Sequence, residues 1–86
     1  MDDYTIAFAR SGRRELEELD AALVKRILQR IESLAEDPRP RGCRKLRGEE
    51  NLWRIRVGTY RVVYQINDTE RSLDIIIVRH RSKAYE

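Results

Sequence analysis

The sequence predicts an α+β domain: an N-terminal strand, a helical hairpin, then an antiparallel three-stranded meander, with the strands in one sheet and the helices on one of its faces. Three patterns predict it. Tyr4, Ile6 and Phe8 alternate with Thr5 and Ala7, the period of a half-buried strand. Leu16, Leu19, Leu23, Ile27, Ile31 and Leu34 recur at spacings of three and four, the apolar stripe of a helix. From Trp53 to Tyr64, apolar and cationic residues alternate on either side of Gly58-Thr59, as in a hairpin with one wet face.

In chain order, the first strand is centred on Tyr4 to Phe8, and the helical stripe follows it. Asp20 divides that stripe, since its carboxylate is suited to cap a second helix starting at Ala21. Asp37-Pro38-Arg39-Pro40 ends the helical region, because the residue before a proline is driven out of the helical conformation. The chain then crosses back toward the sheet as an extended segment and a basic loop. Strands at 52–57, 60–66 and 73–78 form the meander, with a turn from Asn67-Asp68 to Ser72. The last of them, Leu73-Asp74-Ile75-Ile76-Ile77-Val78, is nearly continuously apolar and belongs in the interior of the sheet. The tail beyond it, Arg79 to Glu86, leaves the strand at the end of the sheet.

Gly58 at the first position of a two-residue loop suits a type II′ turn, which pairs Val57 with Tyr60. Counting outward sets Arg56 opposite Arg61 and Ile55 opposite Val62, with Trp53, Ile55, Val57, Tyr60, Val62 and Tyr64 on one face. Arg54, Arg56 and Arg61 fall on the other, which is expected to be uncovered. Charge is concentrated there: residues 39 to 61 hold eight basic groups against two acidic, although the whole chain carries only +3. Like charges directly across a strand pair repel, and the natural partner for such a stripe is a polyanion, of which nucleic acid is the commonest.

With 86 residues the chain is expected to form one domain over 1–86, with its function on a surface rather than in a deep cavity. One cysteine, Cys43, and one histidine, His80, provide neither a disulfide nor a zinc quartet. No apolar run approaches the roughly 20 residues of a membrane span, and Met1-Asp2-Asp3 is unlike a signal peptide, so a cytoplasmic setting is expected. The arginine strands bring no carboxylates to hold Mg²⁺, and the glycines make no phosphate-binding fingerprint, so neither metal nor cofactor is expected. What remains is cationic stabilisation of a phosphodiester. RNA supplies its own nucleophile, because a 2′-hydroxyl in line with its phosphate needs only proton transfer and charge stabilisation.

Lys45-Leu46-Arg47-Gly48, the segment from Leu52 to Tyr64, and the ending Val78-Arg79-His80-Arg81 through Tyr85 resemble the RelE branch of the RelE/ParE toxin superfamily. The resemblance runs over essentially the whole chain. It implies the toxin of a type II toxin-antitoxin pair, a metal-independent endoribonuclease that cleaves messenger RNA in the ribosomal A site. It also implies a cognate antitoxin, with the toxin alone a monomer and the complex a hetero-oligomer. The family's working positions fall on Arg54 and Arg56, then on Arg61, Arg81 and Tyr85, and its basic loop on Lys45 and Arg47. The best-known members have lysines where this chain has Arg54 and Arg56. Arginine stays protonated, so both are cast as phosphate clamps, and the general base is left open between His80 and Tyr85. ParE-type relatives share the fold but poison DNA gyrase without cleaving RNA. A noncatalytic RNA-binding relative would carry the same charges.

Overall fold

Alternation and helical periodicity resolve into β1 (Thr5–Phe8), α1 (Arg10–Glu17), α2 (Ala21–Ser33), β2 (Arg44–Lys45), β3 (Leu52–Val57), β4 (Tyr60–Asn67) and β5 (Ser72–His80). A computed structural model describes residues 3–48 and 51–82. The five strands form one sheet in the order β1-β5-β4-β3-β2. β1 runs parallel to β5, and every other neighbouring pair is antiparallel. β5 is thus an inner strand, as its composition predicts, although β1 flanks it only from Ser72 to Ile75.

The predicted hairpin register holds throughout, from Val57 opposite Tyr60 to Trp53 opposite Tyr64. Gly58 has φ +61°, whereas Thr59 is not among the positive-φ residues, the combination a type II′ turn requires. Asp20 caps α2 by accepting the Leu23 N–H at 2.9 Å. Ile27 and Ile31 of α2, with Leu34 just past its end, are buried in the same core as Ile55, Val62 and Tyr64, so the helices cover the face on which the sheet's apolar side chains lie.

Two features differ from the sequence reading, besides Arg79 and His80, which are expected in the tail but continue β5. Arg44 and Lys45 are expected in a basic loop but form β2, an edge strand too short to show a period of its own. The second is a bulge: the β4–β5 register steps from Val63 opposite Ile77 to Tyr64 opposite Ile75, so that Ile76 has no partner across the ladder. The bulge lets Ile75 and Val78 both enter the core despite their odd spacing. β1 stops at Phe8, and past that point α1 lies along the edge of β5. The Ala9 N–H donates to the Ile75 carbonyl at 2.9 Å, and the Ser11 hydroxyl to that of Ile76 at 2.7 Å. Glu15 Oε1 accepts the Val78 N–H at 2.9 Å, so the open edge is satisfied by a helix instead of a strand. Gly12 allows this approach, because a Cβ there would lie 2.4 Å from the Ile75 carbonyl oxygen.

The crossover from α2 is pinned at Pro38 and Arg39. The buried Tyr64 hydroxyl donates to the Pro38 carbonyl at 2.6 Å, and burial pushes its phenol well above the usual range. Arg39 lies over the Trp53 ring, 4.9 Å from its centroid, and pairs with Asp68 at 2.8 Å. Tyr4 also donates to Asp68, at 2.5 Å. The Arg39 hydrogen bonds, then that of Tyr4, hold the Asp68 carboxyl down to about 2. Arg39 is therefore spent within the fold, on the Trp53 side, and does not join the cationic face.

Candidate nucleic-acid interface

Directly paired residues in an antiparallel ladder share a face. The β2–β3–β4 registers consequently set Arg44 beside Arg54, and the β3–β4–β5 registers set Arg56, Arg61 and Arg79 in a row. With strands about 4.8 Å apart, that row crosses roughly 10 Å of sheet. Five arginines therefore occupy two adjacent rows of one face, and neither row contains a carboxylate.

This face is not the open surface that the alternation alone predicts. Arg54 and Arg61 are only 5% and 8% exposed, and Val63 beside Arg54 is also buried, whereas Arg56 is exposed. Neither Arg54 nor Arg61 stands as a bare charge, for each is engaged within the chain. The alternation tells which face a side chain takes but not how deeply its aliphatic stem packs between neighbours. Arg79 is directed to the Glu15 carboxylate, which takes both its guanidinium and the neighbouring Val78 amide. Arg81 is exposed, and its N–H donates to the Thr59 carbonyl at 2.7 Å, carrying the β4–β5 pairing one step beyond the strand and bringing Arg81 to the Arg61 end of the sheet.

The other residues singled out in the sequence are placed differently. Lys45 pairs with Trp53 and so belongs to the opposite face, while Arg47 is exposed in the turn after β2. His80 pairs with Tyr60, and its ring meets the Tyr60 ring edge-on at 5.5 Å, again on the side away from the arginine rows. Its Nδ1 lies 3.0 Å from the Ser82 hydroxyl. Tyr85 lies outside the described residues. Sequence reasoning missed Arg44, whose strand it did not recognise, and Arg79, whose facing could not be counted through the bulge. Among the described residues, no three of His, Cys, Asp and Glu gather as a metal site would require.

Fold and site together define a small α+β protein with an arginine-bearing sheet face suited to anions. The family model of the ParE toxin of type II toxin-antitoxin systems, parDE, matches residues 6–85. The chain belongs to the RelE/ParE toxin superfamily, the toxins of type II toxin-antitoxin systems. Among its relatives, Toxin RelG of Mycobacterium tuberculosis is 29% identical over 83 residues, covering 95% of each chain. Similar folds are seen in the archaeal RelE-RelB complex of Pyrococcus horikoshii, with a TM-score of 0.81 at 29% identity over 98% of this chain and 100% of the other. The toxin-antitoxin complex RelBE2 of M. tuberculosis gives a TM-score of 0.79 at 30% identity, over 92% and 99%.

Proposed function

We propose that this chain is a ribosome-dependent endoribonuclease that cleaves messenger RNA in the ribosomal A site, acts in the cytoplasm, and is held inactive by a cognate antitoxin. The observation that carries this reading is the pair of arginine rows, Arg44 with Arg54 and Arg56 with Arg61 and Arg79, into which the strands place no carboxylate, Glu15 of α1 engaging only the Arg79 end. Guanidinium groups bind phosphate oxygens in forked pairs and oppose the charge that gathers on phosphorus in the transition state. The 2′-oxygen attacks the adjacent phosphorus, the bond to the 5′-oxygen breaks, and the products are a 2′,3′-cyclic phosphate and a 5′-hydroxyl. One proton leaves the 2′-hydroxyl and one reaches the departing oxygen, so no metal is needed for the balance. Exposed Arg56 and Arg81 are the groups that meet the substrate first, and Arg61 backs them from within the sheet. Of the two candidates for the proton acceptor, His80 is turned toward Tyr60 on the helix side, which favours Tyr85.

The antitoxin rests on the solved neighbours, both of those named above being complexes of a Rel toxin with its antitoxin. A monomeric toxin that becomes a hetero-oligomer with its antitoxin follows from the same likeness. One observation favours a second reading: the matching family model is that of the ParE toxin, and ParE-type relatives act on DNA gyrase. Primer extension on a translated message, beside an assay for gyrase-linked DNA breaks, separates the two. Cleavage within the message at the A-site codon supports the ribonuclease, whereas DNA breaks with an intact message support the gyrase poison.

A further inference from the structure

The basic surface continues around the edge of the sheet. β2 pairs only Arg44 with Arg54 and Lys45 with Trp53, so β3 has no neighbouring strand beside Arg56. The Leu46 N–H donates to the Leu52 carbonyl at 2.9 Å, which directs the backbone of Leu52, and by alternation that of Arg54 and Arg56, toward this edge. Gly42, at φ +93°, turns the chain away where it would otherwise run alongside Arg56. A cleft of about 470 Å³ opens there, lined by Arg30 of α2, Arg41 and Gly42 of the crossover, Arg44, Arg54 and Arg56. Among the described residues, no acidic one lines it. Among the described residues, Arg30, Arg41, Arg44 and Arg56 form no salt bridge. One helical turn before Arg30, the Arg26 guanidinium lies 3.1 Å from where a Cβ on Gly58 would stand, so α2 places a second cation beside the β3–β4 turn.

We propose that this cleft binds phosphate groups of an RNA backbone, giving the chain a second grip on RNA outside the reaction face; the choice of RNA rests on the function proposed above. Several guanidinium groups around one solvent-open cavity repel one another, and an entering phosphate relieves that repulsion while accepting their forked donors. The outward N–H of Arg56 adds a backbone donor. Arg56 also stands in the row with Arg61, so the cleft and the reaction face form one track around the β3 edge. An acidic peptide adding as a strand would find only the Arg56 amide and carbonyl beyond β2, too few for strand addition, and this favours a phosphodiester chain.

The test is the binding of a 2′-O-methylated single-stranded RNA, which cannot be cleaved, to the parent and to R30A/R41A across a salt series. The expected result is an affinity about tenfold or more lower and a log–log salt slope shallower by about 1.4, as for the loss of two single-strand phosphate contacts. The charge-matched pair R14A/K25A, on exposed helix positions away from the cleft, should bind close to the parent. All three proteins should melt together, since the four positions are exposed. Equal losses in both pairs would reduce the effect to bulk charge and overturn the proposal. So would parent-like RNA binding by R30A/R41A, including the case in which that variant loses only polyglutamate binding. Ribosomal cleavage by the parent is scored separately: a parent that binds RNA through the cleft but cleaves nothing refutes the nuclease reading, not this one.

Discussion

Arg56 and Arg61 face each other in the β3–β4 ladder, yet one is exposed and the other buried, and they should respond differently to truncation. Alternation alone treats them as equivalent, and predicts that removing either relieves repulsion without loss of stability. Burial changes that expectation for Arg61. Its stem fills space in the sheet face and the residue is engaged within the chain, so Arg61→Ala should lower stability by about 1–3 kcal/mol. Arg56→Ala should stay within roughly 0.5 kcal/mol of the parent. Denaturant unfolding of the two variants checks the pair, and equal stabilities would show that the Arg61 stem contributes no packing. The facing of Arg54, Arg56 and Arg61 was legible because a two-residue turn fixes register and a period of two fixes side. Depth was not, since packing between neighbouring side chains leaves no mark on the alternation.

At the scale of elements, the amphipathic stripe, the Asp20 cap and the meander could all be read from periodicity and cap chemistry, which act within a few residues. The relation of α1 to β5 could not. It depends on Gly12 meeting Ile75 and on Glu15 meeting Val78 and Arg79, contacts made across more than sixty residues of chain. Gly12→Ala should therefore cost more than a helical glycine-to-alanine change, which normally gains stability in a helix. A Cβ 2.4 Å from the Ile75 carbonyl forces α1 off the sheet edge, and overpacking of this kind costs about 1–3 kcal/mol. A Gly12→Ala protein that melts at or above the parent temperature would show that α1 shifts freely on β5. β2 was equally hidden, because two residues are too few to display a period.

Across the whole molecule, the Arg39–Asp68–Tyr4 cluster ties the crossover, the β4–β5 turn and the segment leading into β1. Its carboxyl is held near 2 against an ordinary 3.8, so between those values the unfolded chain binds more protons than the folded one. The stabilisation is present above about 3.8 and is lost as pH falls through about 2. Asp68→Asn should remove that part of the acid dependence, leaving a flatter stability curve between pH 4 and pH 2 in a urea-unfolding series. An unchanged curve would mean that other carboxylates govern acid unfolding.

The central claim is that the arginine face cleaves messenger RNA on the ribosome. Single-turnover cleavage on programmed ribosomes, with end-group analysis, tests it for the parent, Arg61→Ala, Arg81→Ala and Tyr85→Phe. The account predicts a 2′,3′-cyclic phosphate and a 5′-hydroxyl from the parent. Folded Arg61→Ala and Arg81→Ala should be slower by about 10²–10³-fold or more, the loss expected for a donor aimed at transition-state charge, with Tyr85→Phe falling less. Parent-like cleavage by Arg61→Ala that binds ribosomes and melts as a folded protein, or no cleavage by the parent at all, would contradict it.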